Sequence, residues 1–332
     1  MLISSSYRLN IFGFPGAPNT KNNLGLLDQR LAVEWVRDNI QAFGGDPARI
    51  TLFGESAGAS SVDFYSYAWT QDPIVAGFIA QSGTASDTKS ANTSAKAWYT
   101  TAKALNCGGE TSNSEELLSC MRSKDTTSIL KAIPANIGPS LNSVPNTFGP
   151  TVDDTIVFAD YEARAASGQF IQKPFLIGHN DKEIGLFRFV GLLLGQKSSD
   201  SYWYVQNLFG FACPAAERAK YAAKKVPTWR YRYFGDFPNL ALATTPPTGA
   251  WHSSEVPIVF GTDMEVQNVT QRTEAQLNIV PYIMGAWGAF AKDPQNGLTK
   301  FVITHSSRYC ATTNAYNQVM DGPNINQDKS RW

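Results

Sequence analysis

Histidine is scarce in this chain: His179, His252 and His305 are the three in 332 residues. Chemistry that needs an imidazole base has only those three places to find one. Cysteine is nearly as rare, with Cys107, Cys120, Cys213 and Cys310. No Cys/His spacing of zinc type, no Walker loop and no dinucleotide fingerprint occurs, so neither a metal nor a cofactor is expected. Charge is sparse too. Asp, Glu, Lys and Arg make up 17% of the residues, against roughly 25% in an average chain. The 28 basic and 28 acidic residues cancel. The basic ones do not cluster, which leaves nucleic acid or an anionic membrane no electrostatic footprint. No apolar run reaches the roughly 20 residues of a membrane-spanning helix. Repeats and low-complexity tracts are missing. Residues 1–14 have neither the charged start nor the long apolar stretch of a signal peptide.

Apolar residues, at 43% with 12% aromatic, suffice for one large core or two domains. The most informative stretch is Gly54-Glu55-Ser56-Ala57-Gly58, a G-x-S-x-G motif. An apolar run at 50–53 precedes it and a small-residue segment follows it. A nucleophile elbow needs this context: strand, sharp turn, helix. Glycines two before and two after the serine allow the backbone to fold tightly. The helix N-terminus then aims free N–H groups at the oxygen where charge develops.

A serine hydroxyl needs a base. In the α/β-hydrolase order an acid and then a histidine follow the serine. His179 precedes any plausible acid and His305 lies near the C-terminus, so both read as surface or core residues. His252 sits in a loop-like stretch before the apolar run 256–260. Residues 174–177 read as a short buried parallel strand and Gly178 onward as its C-terminal loop, the edge where catalytic groups gather. Asp181 and Glu183 in that loop compete for the role of acid.

The coarse pattern is α/β. Residues 5–12, 50–53, 78–81 and 228–234 read as strands. Helices are expected at 26–39, with Leu27, Leu31 and Trp35 on one face, and at 99–105, 115–121 and 274–292, where Pro281 kinks or starts the last. Residues 135–155 read as a long loop lining the mouth of the site. Among the cysteines three pairings exist, and spacing favours Cys107 with Cys120.

More of the chain resembles the type-B carboxylesterase family, which includes cholinesterases and fungal lipases. The residues that carry the resemblance are Tyr7-Arg8-Leu9 with Phe12-Gly13-Phe14, and Asn23-Leu24-Gly25-Leu26-Leu27-Asp28-Gln29. They continue with Phe43-Gly44-Gly45-Asp46-Pro47, the serine motif, and Gln81-Ser82-Gly83. Asn180 with Glu183 and Gly185, and Trp251-His252 with Glu255 and Phe260-Gly261, complete the set. The stretch 229–237 looks most like fungal members.

The resemblance implies an α/β-hydrolase fold, a mostly parallel sheet flanked by helices, over residues 1–332 as a single domain. It selects Glu183 over Asp181, giving Ser56 as nucleophile, His252 as general base and Glu183 as its orienter. Ala57 N–H would be one oxyanion donor. It further implies a buried carboxylate at Glu55 near His252, a Ser82 hydrogen bond behind Glu183, and a buried Arg8–Asp28 ion pair. The aromatics Phe187, Phe189, Trp203, Tyr204, Phe209 and Phe211 read as core or lid packing. The family also pairs Cys107 with Cys120 and a cysteine at the Cys213 position with one near the C-terminus, here Cys310. By chain entropy the first loop would contribute about 3 kcal/mol and the second a little under 5. Disulfides, with sequons at Asn92 and Asn268, imply a secreted protein.

One departure stands out. Nothing here matches the family's long N-terminal region, with its first strands and the histidine-glycine-glycine loop that supplies further oxyanion donors. The expectation is an N-terminally truncated ester hydrolase whose activity the truncation impairs. Its substrates would be small-molecule or lipid esters. The alternative is a non-catalytic interaction protein or inactive remnant of the same fold.

Overall fold

The computed structural model describes residues 1–86, 88–134, 147–264 and 271–301, and the backbone of 319–321. Among the described residues five strands form one all-parallel sheet in the order β1-β2-β3-β4-β5: β1 (Thr51–Glu55), β2 (Gly77–Gln81), β3 (Phe175–Asn180), β4 (Thr228–Tyr233) and β5 (Val319–Asp321). The helices in chain order begin with α1 (Asn10–Gly13), α2 (Leu24–Asn39), α3 (Ala57–Ala68), α4 (Ala91–Ala104), α5 (Ser114–Arg122) and α6 (Thr126–Ala132). They continue with α7 (Tyr161–Ser167), α8 (Ile184–Leu193), α9 (Asp200–Asn207), α10 (Cys213–Ala222), α11 (Val256–Phe260) and α12 (Glu274–Lys292). A π-helical turn, Leu208–Ala212, joins α9 to α10.

The chain divides into two compact units. A helical unit comprises residues 1–47, 64–72 and 85–161, and a sheet unit comprises 48–63, 73–84 and 162–332.

Parallel strands buried on both faces need continuous apolar sequence, and β2 (GFIAQ) and the start of β3 (FLI) supply it. Alternation in β4 (TWRYRY) sends Trp229, Tyr231 and Tyr233 into the core, with the residues between them only partly buried. That face, with Leu176, packs on Ile279, Val280, Ile283, Trp287 and Phe290 of α12. Thr273 and Gln276 close a capping box at the head of α12, and Pro281 is accommodated inside the helix.

The opposite face holds a buried ion pair. Arg218 of α10 donates to Asp63 at 2.7 Å, with both side chains at least 96% buried. Its guanidinium lies over Phe170 and Phe175, 4.4 and 4.8 Å from the ring centroids. Such a pair contributes little net stability, yet losing one partner is costly because the other charge stays buried.

In the helical unit, α2 turns a different face inward than apolar spacing suggests. Leu26, Arg30 and Val33 are buried, while Leu31 is 65% and Trp35 52% exposed. The cause is polar: Arg30 donates to the Tyr65 hydroxyl and the Asp72 carbonyl at 2.8 and 2.7 Å and pairs with the carboxylates of Asp72 and Glu34. Apolar periodicity cannot register an arginine at the centre of a buried face. Trp35 stacks instead against Phe43, with ring centroids 6.2 Å apart. The Arg8–Asp28 pair forms at 2.6 Å, but it is solvent-exposed on the Arg8 side rather than buried.

Residues 5–12 are not a strand. Leu9 is extended, but Asn10 sits at φ +53° and opens the short helix α1. Without a ladder partner an extended segment gains no inter-strand hydrogen bonds. Helix α4 starts eight residues before the expected 99, because Ser90 caps it by accepting from Thr93 N–H. Within the expected 135–155 loop, 135–146 lie outside the described residues.

Asp63→Ala should destabilise the protein by about 3–5 kcal/mol. The double change Asp63→Leu/Arg218→Met should cost much less, because no charge is then stranded. Urea denaturation of the three proteins checks this; equal losses for the single and double variants would contradict it.

Candidate functional site

The strand β1 ends at Glu55 and α3 starts at Ala57, leaving Ser56 alone to turn the chain. Its φ is +57°, a conformation that costs a non-glycine residue on the order of 1–3 kcal/mol. Two close approaches allow the turn. A Cβ on Gly54 would lie 2.4 Å from the carbonyl carbon of Gly58, and one on Gly83 would lie 2.4 Å from the Ser56 carbonyl oxygen. Gly58 itself faces open space, so the expected steric need for glycine two residues after the serine does not hold. Ser56 N–H donates to the Gln81 carbonyl at 2.8 Å, tying the turn to β2. Ala57 occupies the first position of α3, where a helix leaves its N–H groups without intrahelical partners.

Glu183 is fully buried beyond the C-terminal end of β3. Its Oε1 accepts from the Asn180 backbone N–H at 2.6 Å, and its Oε2 lies 2.6 Å from His252 Nδ1. His252 Nε2 is 2.7 Å from Ser56 Oγ. Serine, imidazole and carboxylate thus form one hydrogen-bonded line from residues 56, 252 and 183. Asp181, the competing acid, points elsewhere and pairs with Arg232. The β3 strand runs on through Gly178, His179 and Asn180 rather than ending at 177, which moves the loop start to Asp181.

The His252 loop is pinned at several points. Gly249 and Ser253 both have positive φ, and His252 N–H donates to the Glu183 carbonyl at 3.3 Å. The rings of Phe187 and Phe211 pack on the imidazole, with centroids 5.2 and 5.0 Å away. Those two aromatics therefore touch the site directly. Trp203 is buried, whereas Tyr204 and Phe209 face solvent.

Two further carboxylates surround the imidazole. Glu55 Oε1 lies 3.4 Å from His252 Nε2 and accepts from Ser253 Oγ at 2.8 Å. Glu255 is buried behind it. Its Oε1 accepts from Gln81 Nε2 at 3.0 Å and its Oε2 from Asn180 Nδ2 at 2.5 Å, while Trp287 Nε1 donates to Gln81 Oε1 at 2.9 Å. Asn180 also donates to the Trp251 carbonyl at 2.7 Å. One asparagine thereby links the acid loop to the histidine loop. Sequence reasoning noted Glu255 within a matching pattern but gave it no role. Its spacing of three residues after His252, in a stretch entering a helix, is the local signal.

Burial by itself pulls the His252 pKa down. The hydrogen bond to Glu183 and the charges of Glu183, Glu55 and Glu255 outweigh it, and the net shift is upward. Burial pushes the Glu255 carboxyl up, the charges of Glu183 and Glu55 add to this, and it reaches about 7 despite the Asn180 and Gln81 hydrogen bonds. Glu55 also rises, chiefly through burial. The arrangement can take a proton from the serine hydroxyl, hold it as imidazolium beside three carboxylates, and return it to a leaving group.

Other expected residues fall differently. Ser82 Oγ is buried without a hydrogen-bond partner among the described residues, so it does not brace Glu183. It sits at φ +59°, where the chain leaves β2. His179 is buried in β3, and burial together with Arg230 and Arg232 lowers its pKa to about 4, keeping it neutral. Cys107 and Cys120 form a disulfide. Cys213 is exposed at the start of α10, and Cys310 lies outside the described residues, as do His305 and Asn268. Asn92 is exposed in the first turn of α4. No group of His, Cys, Asp and Glu suited to a metal ion occurs among the described residues, and no helix there is long and apolar enough to cross a membrane.

The carboxylesterase family model matches residues 1–202. Over 307 residues the chain is 38% identical to a chlorogenic acid esterase of Aspergillus niger, covering 91% of this chain and 57% of that protein. Over 318 residues it is 34% identical to secreted lipase 5 of Gibberella zeae, covering 90% of this chain and 58% of that protein. It therefore spans a little over half the length of these relatives. A solved structure of a PNB esterase is similar with a TM-score of 0.70 at 26% identity, over 86% of this chain and 64% of the other. With its parallel sheet, flanking helices and serine elbow, the chain has the α/β-hydrolase fold and belongs to the carboxylesterase family.

Proposed function

We propose that this protein is a serine carboxylic ester hydrolase working through an acyl-enzyme. The observation that carries the reading is the continuous line Ser56 Oγ–His252 Nε2 at 2.7 Å and His252 Nδ1–Glu183 Oε2 at 2.6 Å. Ser56 attacks the ester carbonyl as His252 takes its proton. Glu183 holds the imidazole in the tautomer with a proton on Nδ1 and stabilises the imidazolium. His252 then protonates the departing alcohol, and water repeats the sequence on the acyl-enzyme. Ala57 N–H at the head of α3 is one donor to the oxyanion. Small-molecule or lipid esters are the substrate class, in keeping with the names of the relatives. The Cys107–Cys120 disulfide and the likeness to a secreted lipase favour an extracellular setting. A non-catalytic role finds no support in a site that keeps all three residues in contact.

A fluorophosphonate probe should label Ser56 and fail on Ser56→Ala; equal labelling of both would contradict the assignment. Turnover of p-nitrophenyl butyrate should fall by roughly 10⁴–10⁶-fold in either Ser56→Ala or His252→Ala, with the double variant scarcely worse, because such groups act as a unit.

Proton removal needs neutral His252, and its raised pKa means that kcat/KM is lost as pH falls through a value above the ordinary 6.5. Glu255→Gln removes a negative charge that favours imidazolium. The acid limb should therefore move to lower pH, by about half a unit. A pH–rate profile checks it; an unmoved limb, or one displaced upward, would contradict the electrostatic account.

A further inference from the structure

A buried polar chain runs from α12 toward the imidazole of His252. Trp287 donates through Nε1 to Gln81 Oε1 at 2.9 Å, and Gln81 Nε2 donates to Glu255 Oε1 at 3.0 Å. Gln81 is 2% exposed, Glu255 1% and Trp287 8%. Bulk water has little access here, so protein groups decide which charge state is solvated.

A primary amide can show a neighbour either its N–H or its carbonyl oxygen, and its other contacts decide which. The indole Nε1 is a donor only. It therefore claims the Gln81 oxygen and leaves the Gln81 N–H for Glu255. Asn180 is set in the same way. Its Nδ2 donates to the Trp251 carbonyl at 2.7 Å and to Glu255 Oε2 at 2.5 Å, so a reversed amide would put an oxygen against two acceptors. Glu255 thus meets an N–H on each oxygen. That pattern favours the carboxylate, because a carboxyl proton would need an acceptor and finds donors. Without the indole N–H, Gln81 is free to rotate and offer its oxygen to a protonated Glu255.

The charge of Glu255 matters because it acts on His252. Glu183 and Glu55 also act on Glu255, and Glu255 acts on Tyr231 and Tyr233 of β4. Asp181, Asp236, Lys182 and Arg232 line a cavity together with Glu255, two acids against two bases. We propose that Trp287 is a positioning residue for His252: its indole N–H, by orienting Gln81, favours the carboxylate form of Glu255 beside the imidazole. The consequence for catalysis rests on the hydrolase reading; the relay to His252 does not.

Two readouts test it on the full chain. Histidine side-chain NMR follows His252, identified among the three histidines by the signal missing from His252→Ala. Losing negative charge lowers the midpoint of an imidazole, so Glu255→Gln should move it down by about half a pH unit and Trp287→Phe by about 0.3. Gln81→Leu, which interrupts the same relay, should match Trp287→Phe. Once Glu255→Gln has removed the charge, adding Trp287→Phe should move the midpoint by no more than about 0.1 unit. Phe290→Leu is the packing control. It lies three residues further along α12, is fully buried and packs on Trp229. It should lower the thermal midpoint and leave the His252 titration in place. An unmoved or raised midpoint in Trp287→Phe overturns the relay, as does full additivity with Glu255→Gln or an equal shift in Phe290→Leu. Should Trp287→Phe not fold, Gln81→Leu decides by the same criteria. The acid limb of kcat/KM on p-nitrophenyl butyrate should follow the NMR midpoint. A limb that stays while the midpoint moves, or no turnover at all, would instead defeat the hydrolase reading and leave the relay standing.

Discussion

The site is built round one buried carboxylate. Glu183 has no access to solvent, and a bare carboxylate there would be prohibitively unstable. Its charge is held by the Asn180 N–H on one oxygen and His252 Nδ1 on the other. That requirement fixes the imidazole, because a ring rotated away would strand the charge. With Nδ1 committed, Nε2 is left to face outward, and the strained turn at Ser56 brings a hydroxyl to it. The order of dependence runs from the carboxylate through the ring to the serine.

The same network explains the second layer. Asn180 ties Glu255 to the acid loop with its side chain while its backbone serves Glu183. Gln81 ties Glu255 to β2, and Trp287 ties Gln81 to α12. The strand ends and the long helix are thereby connected to the histidine loop by hydrogen bonds as well as by apolar packing. Three acidic side chains near one imidazole raise its affinity for a proton, and burial, with the charges of Glu183 and Glu55 added, drives Glu255 to about 7. A site of this kind trades some stability for a base that holds its proton well.

Legibility in the sequence followed the range of the interactions. The serine elbow is local: five residues contain the turn, the strand end and the helix start, and the motif is readable by itself. Glu183 and His252 lie 69 residues apart, and their meeting at 2.6 Å could be expected only from chain order and resemblance. Position in the loop after the strand left Asp181 as an equal competitor; Arg232, fifty-one residues on, removes it by pairing with it. Phe187 and Phe211 gained their places beside His252 from two separate segments, and no local pattern distinguishes them from ordinary core residues. Misreadings have the same origin. The inward face of α2 is set by Arg30 binding Tyr65 and Asp72, which apolar spacing does not see. The extended reading of 5–12 fails because Asn10, at φ +53°, opens a short helix there instead. Ser82 is buried at the end of β2, but its hydroxyl makes no hydrogen bond among the described residues.

The central claim is that Ser56 carries the acyl group. Reaction with p-nitrophenyl butyrate, rapid acid quench and peptide mapping by mass spectrometry tests it most directly. A single butyryl adduct on Ser56, accompanied by a matching burst of p-nitrophenol and lost in His252→Ala, is the predicted result. Release of p-nitrophenol without any adduct at Ser56, or with the adduct on another side chain, would contradict it.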